Sequence, residues 1–255
     1  MKKIIGLLVF TVVFFGCKPN ISENYHMDKK YWDVEDYNTA VTEMQSISNK
    51  EEGLPRLSNP ETAPVFLKLV DKENASIVLE DKQLGVKHKY EVSQGLFEDA
   101  KSILELYSAM DVQDKLVYPQ EYVKALDFTL HVELLYFKLG NENIIKEVAN
   151  PDDLENKSLL TNNEAVVVHN FQIPIDFLAK EDALDKTAIN EYATIIDVQY
   201  PKLLKQCPNA DYSELKSATE SVSKKVKSPE LKKSLAKLVS EINKLGNKTK
   251  TDSIQ

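Results

Sequence analysis

Over most of the chain the apolar residues return every three or four positions, and this period limits the fold to packed α-helices more than any other feature. Phe97, Ala100, Leu104 and Tyr107 mark one helix; Val123, Leu126, Leu130, Leu134 and Phe137 mark the next, opened by Pro119 and stopped by Gly140. Thr161 and Glu164 have the spacing of a capping box ahead of Val168, Phe171, Ile175 and Leu178, with a kink predicted at Pro174. A further helix is expected from Asp185 to Gln199 and a short one from Asp211 to Val226. The cleanest runs from Ser228-Pro229 through Leu231, Leu235, Leu238, Ile242 and Leu245 to Gly246. Nearer the N-terminus, Val34, Tyr37, Val41, Met44 and Ile47 predict a helix over 33–47, and a shorter one is expected over 60–70. One stretch breaks the period: Val86, His88, Tyr90 and Val92 alternate with charged residues. Together with Ser76 to Glu80 and a turn ending at Gly85, this predicts a β-hairpin over about 76–92. The expected fold class is mainly α, an irregular helical bundle or solenoid-like array of helices carrying one hairpin, with no repeat of fixed length.

The first 17 residues obey different rules. Lys2 and Lys3 precede an apolar run from Ile4 to Phe15, which ends at Gly16-Cys17. The run has the length of a signal-peptide core and falls short of the roughly 20 residues that span a bilayer as a helix. Phe14-Phe15-Gly16-Cys17 resembles the lipobox of bacterial lipoproteins, keeping the cysteine and the small residue before it but carrying aromatics at the other two positions. The lysine-rich, arginine-poor composition resembles that of Bacteroidetes envelope proteins. The resemblance implies removal of residues 1–16, acylation of Cys17 and attachment to the cell envelope, on the outer membrane. Two or more acyl chains hold a protein stably on a bilayer. The expected organisation is a signal peptide over 1–16, a flexible tether over 17–30, a helical domain over 31–246 and a disordered tail over 247–255.

Composition excludes several kinds of chemistry. With Cys17 lipidated, Cys207 is the one remaining cysteine, so neither an intramolecular disulfide nor a paired-cysteine metal site can form. Arg56 is the single arginine, which rules out a phosphate site built on paired guanidinium groups. Five isolated glycines come after Cys17, so there is no glycine-rich phosphate loop. The net charge of −8 is uneven, because residues 224–250 hold nine lysines against two glutamates. The acidic remainder disfavours nucleic acid as a partner.

Few residues are candidates for a site. Asp127 and His131, four apart on a helix, could face one metal ion or one water from adjacent turns. Tyr118, Tyr122, Phe128 and Tyr136 could line a groove for a peptide or glycan, although burial between helices is their default. His88 is expected on the inward face of the hairpin. Lys233, Lys237 and Lys244 share a face of the last helix and form a basic stripe, expected to neutralise the acidic body from within the molecule. No cofactor is expected. The leading functional expectation is a non-enzymatic, lipid-anchored envelope protein that binds or scaffolds another envelope protein. The alternatives are a solute- or glycan-binding lipoprotein and a metal-dependent hydrolase using Asp127 and His131.

Overall fold

The computed structural model describes residues 25–48, 53–147 and 154–252. The signal peptide, Cys17 and residues 253–255 lie outside the described residues. The helices are α1 (Val34–Ser48), α2 (Ala63–Leu69), α3 (Lys72–Glu80), α4 (Val86–Tyr107), α5 (Pro119–Glu147), α6 (Leu154–Phe177), α7 (Lys186–Gln206), α8 (Ser213–Ser223) and α9 (Pro229–Asp252). A 3-10 turn, Leu178–Ala183, joins α6 to α7. The fold is mainly α, as the spacing predicts. Among the described residues an isolated bridge between Met110 and Leu116 is the one β feature.

The hairpin expected over 76–92 is not there: the two segments are α3 and the first turns of α4. Four alternating residues are too short a pattern to outweigh the longer helical stripe that they lead into. Tyr90 continues, at helical spacing, the stripe of Ser93, Leu96, Phe97, Ala100, Ile103 and Tyr107 that α4 buries. Asp71 opens α3 by accepting hydrogen bonds from the backbone N–H groups of Glu73 and Asn74. Gly85, expected in a β-turn, is the N-cap of α4, and His88 points outward beside Glu91 rather than into a core.

Helix α5 is the centre of the molecule. Between Glu121 and Gly140 only Lys138 is exposed, the burial pattern of a helix surrounded on all sides. It packs against α4 and α3, and also against α6 and α7; α9 lies on α7 and α8, and α1 on α4. Gly140 does not stop the helix, which continues to Glu147. A Cβ there would stand 3.2 Å from the Tyr90 ring, so glycine lets α4 and α5 approach closely. Gly246 likewise falls inside α9, and residues 247–252 of the expected tail are helical.

Residues 25–30, expected as the end of a tether, pack onto the fold. Tyr25 is buried, and the Trp32 indole N–H donates to the His26 carbonyl at 3.1 Å. His26 Nδ1 and Lys29 Nζ lie 2.5 and 2.6 Å from the buried Asp36 carboxylate. Burial alone would raise the Asp36 pKa, but these hydrogen bonds win and hold it below the usual carboxylate range. Buried Asn74 ties this corner to α3: its side chain accepts from Trp32 N at 2.5 Å and donates to Trp32 O and the Tyr37 hydroxyl. The buried side chains form one continuous cluster from Tyr25 to Ile242.

Candidate functional site

Asp127 and His131 lie on the side of α5 that faces α3 and α7. Each is occupied by a protein neighbour. Lys72 Nζ pairs with Asp127 Oδ2, and Gln199 Nε2 donates to Asp127 Oδ1 at 2.7 Å. Ser76 Oγ lies 3.3 Å from His131 Nε2. Burial, reinforced by Lys202 and Lys72, pushes the His131 pKa down to about 4, so the ring is neutral at physiological pH. Burial and the neighbouring Lys72 also push the Lys202 ammonium down. A second ion pair, Lys124–Glu191 at 2.9 Å, stands beside the first in a cleft of about 300 Å³ lined with Val123, Ile195 and Val198.

This arrangement suits structure better than catalysis. Both Asp127 oxygens are engaged, and among the described residues no group of three or more His, Cys, Asp or Glu side chains converges as a metal site. The Ser76–His131 contact resembles the start of a nucleophile–base pair. No acid among the described residues holds the other imidazole nitrogen, which would have to be oriented for proton transfer. The cluster cross-links three helices through charge and hydrogen bonds.

The four aromatic candidates do not share a groove. Tyr118 accepts a hydrogen bond from Leu54 N–H at 3.3 Å and meets Tyr107 edge-on, pinning the loop that contains Gly53. At φ +70°, in the left-handed region that favours glycine, Gly53 turns this loop. Tyr122 packs on Phe177, while Phe128, with no exposed surface, stacks on Tyr37. Tyr136 lines a cavity among the described residues.

That cavity, of about 230 Å³, lies where one stripe from each of three helices meets. Tyr90 and Phe97 come from α4, Glu133, Tyr136 and Gly140 from α5, and Val166 and Asn170 from α6. The Tyr90, Tyr136 and Phe97 rings form a near-parallel stack, with centroids 5.2 and 5.6 Å apart. Glu133 is 3% exposed, and its Oε1 accepts from Asn170 Nδ2 at 2.6 Å. Burial raises its pKa to about 7; the Asn170 hydrogen bond and the charge of Lys101 counter only part of that rise. Sequence reasoning passes over Glu133. The available signal is a carboxylate between Val132 and Leu134 in a mostly apolar stretch of helix.

Cys207 is buried and its thiol is pushed up to about 12 by burial, which makes it inert at neutral pH. In the basic stripe, Lys237 pairs with Asp197 at 3.0 Å, whereas Lys233 and Lys244 are exposed with no ion pair among the described residues. Compared with known proteins, the chain matches no family model, no curated protein sequence and no solved structure.

Proposed function

We propose that this protein is an envelope lipoprotein, held on the outer membrane by acyl chains on Cys17, whose helical domain binds or scaffolds another envelope protein. The observation that carries the reading is the order Lys2-Lys3, short apolar core, Gly16-Cys17. Two structural features support it. Among the described residues no helix is long and apolar enough to cross a membrane, so the helical body itself supplies no span. On α6, Val166 and Ile173 are two turns apart on one face and more than half exposed, an apolar surface that a partner protein would cover. The net charge of −8 makes nucleic acid a poor partner.

Anchoring is tested by growing cells with a labelled fatty acid. The wild-type chain should take up label and Cys17→Ala should not; equal labelling of the two overturns the anchor. Partner binding is tested by crosslinking intact cells, where one envelope protein should co-purify with the anchored chain. Recovery of the chain alone from cells in which known envelope complexes crosslink efficiently overturns the scaffolding role.

A further inference from the structure

We propose that the cavity between α4, α5 and α6 is a binding site for a small alkylammonium ion, with Glu133 as its counter-charge and the Tyr90–Tyr136–Phe97 stack as its aromatic wall. The inference does not depend on how the chain is anchored.

The argument begins with Glu133. Its side chain is almost wholly buried and lines a cavity, yet no ammonium or guanidinium group forms an ion pair with it among the described residues. A buried carboxylate is costly unless it is paired or takes up a proton. Asn170 supplies one hydrogen bond to Oε1, and Oε2 has no partner among the described residues. The outer rings of the stack supply a second attraction through their faces, whereas Tyr136, stacked between Tyr90 and Phe97, serves as apolar wall. The Lys101 ammonium, paired with Glu98, already sits 5.5 Å from the Phe97 ring centroid, which leaves Tyr90 as the ring for an added cation. The remaining lining is Phe137 with the carboxamide and aliphatic side chains of Asn143, Asn163, Val166 and Val167, and holds no fixed positive charge. Such a wall offers nothing to an anion, while its valines suit the methyl groups of an alkylated amine. A volume of about 230 Å³ admits one small ligand.

Ionisation of Glu133 should govern the affinity. The groups around it are Lys101 and Tyr90 from α4, Tyr136 on its own helix, Asn170 from α6 and Tyr200 from α7, whose own hydroxyl is raised partly by the Glu133 charge. The charged groups nearby are Lys101 and Glu98 on α4, which pair with each other at 3.4 Å. With its pKa at about 7, Glu133 is mostly ionised at about pH 8 and mostly protonated at about pH 6.

The test is calorimetric titration of the full chain, in a non-ionic detergent, with choline, tetramethylammonium and ethanolammonium, and with glucose as a neutral probe. At least one of the three cations should bind saturably at about pH 8, weaken about tenfold by about pH 6, and release protons when it binds at the lower pH. Glu133→Gln, which keeps the hydrogen bond from Asn170, should abolish cation binding. The wild-type pH dependence and proton release provide the same test if that variant folds poorly. No saturable binding of any of the three cations at roughly 10 mM overturns the proposal. So does binding of glucose in their place, or cation binding that is indifferent to pH and to Glu133→Gln.

Discussion

Glu133 and His131 are two residues apart on α5, and burial drives their pKa values in opposite directions. The carboxyl rises to about 7 and the imidazole falls to about 4, because a low-dielectric site favours the neutral form of each. The linkage to stability rests on proton counts. Between the ordinary glutamate pKa near 4.5 and about 7, folded Glu133 holds more proton than the unfolded chain, so its contribution is present at low pH and lost as pH rises. Replacing it with glutamine should remove this loss. Urea unfolding at a series of pH values should show Glu133→Gln gaining on wild type between about pH 5 and 8, by on the order of 2–3 kcal/mol. A constant difference between the two proteins would show that Glu133 titrates normally. His131 works the other way. Its folded pKa lies below 6.5, so its contribution is present above pH 6.5 and is lost as pH falls towards 4. NMR should find the His131 ring neutral at pH 5.5; a midpoint near 6.5 would mean that it is solvated.

At the scale of elements, periodicity is legible in the sequence and partnership is hidden. The stripes of α5 and α9 can be read because Val123, Leu126, Leu130 and Leu134, and Leu231, Leu235, Leu238 and Ile242, repeat over several turns, and all of these residues are buried. The 76–92 segment misleads because four alternating residues satisfy a strand while leaving the longer helical stripe unconsulted. The cavity cannot be read at all. Its three stripes belong to three successive helices whose packing angles the sequence does not reveal, and the Glu133–Asn170 contact spans 37 residues. Gly85 gives a sharp check on the corrected element. As the N-cap of α4 it has φ −66° and ψ 158°, and a Cβ there would meet nothing within 4 Å. Gly85→Asp should therefore add a capping acceptor and a favourable charge at the helix N-terminus, raising stability by about 0.3–1 kcal/mol in thermal unfolding. A loss of stability would count against a helix beginning there.

On the scale of the whole molecule, the packed start of the chain limits where the domain can stand. Because Tyr25 is already buried, a lipid on Cys17 would hold the fold by a segment that can reach at most roughly 30 Å. This attachment lies with α1, which packs on α4, whereas the basic stripe lies on α9, which packs on α7 and α8, with α5 between the two sides. The stripe thus sits on a different helix from the ones that would carry the attachment, and we expect its charge not to serve anionic lipid. Nor does its charge contribute much to the fold. Lys237 and Asp197 are both substantially exposed, and solvent screens such pairs so that they contribute little. The three lysines should therefore separate in mutagenesis. Lys237→Glu sets like charges against Asp197 and should lower the unfolding midpoint slightly at low salt, an effect that high salt should screen away. Lys233→Glu and Lys244→Glu should stay within about 0.5 kcal/mol of wild type. Chain lacking residues 1–17 should remain in the supernatant when spun with phosphatidylserine vesicles at low ionic strength. If it sediments, and the triple glutamate variant does not, the stripe is a membrane-facing surface and the domain stands on the bilayer through α9.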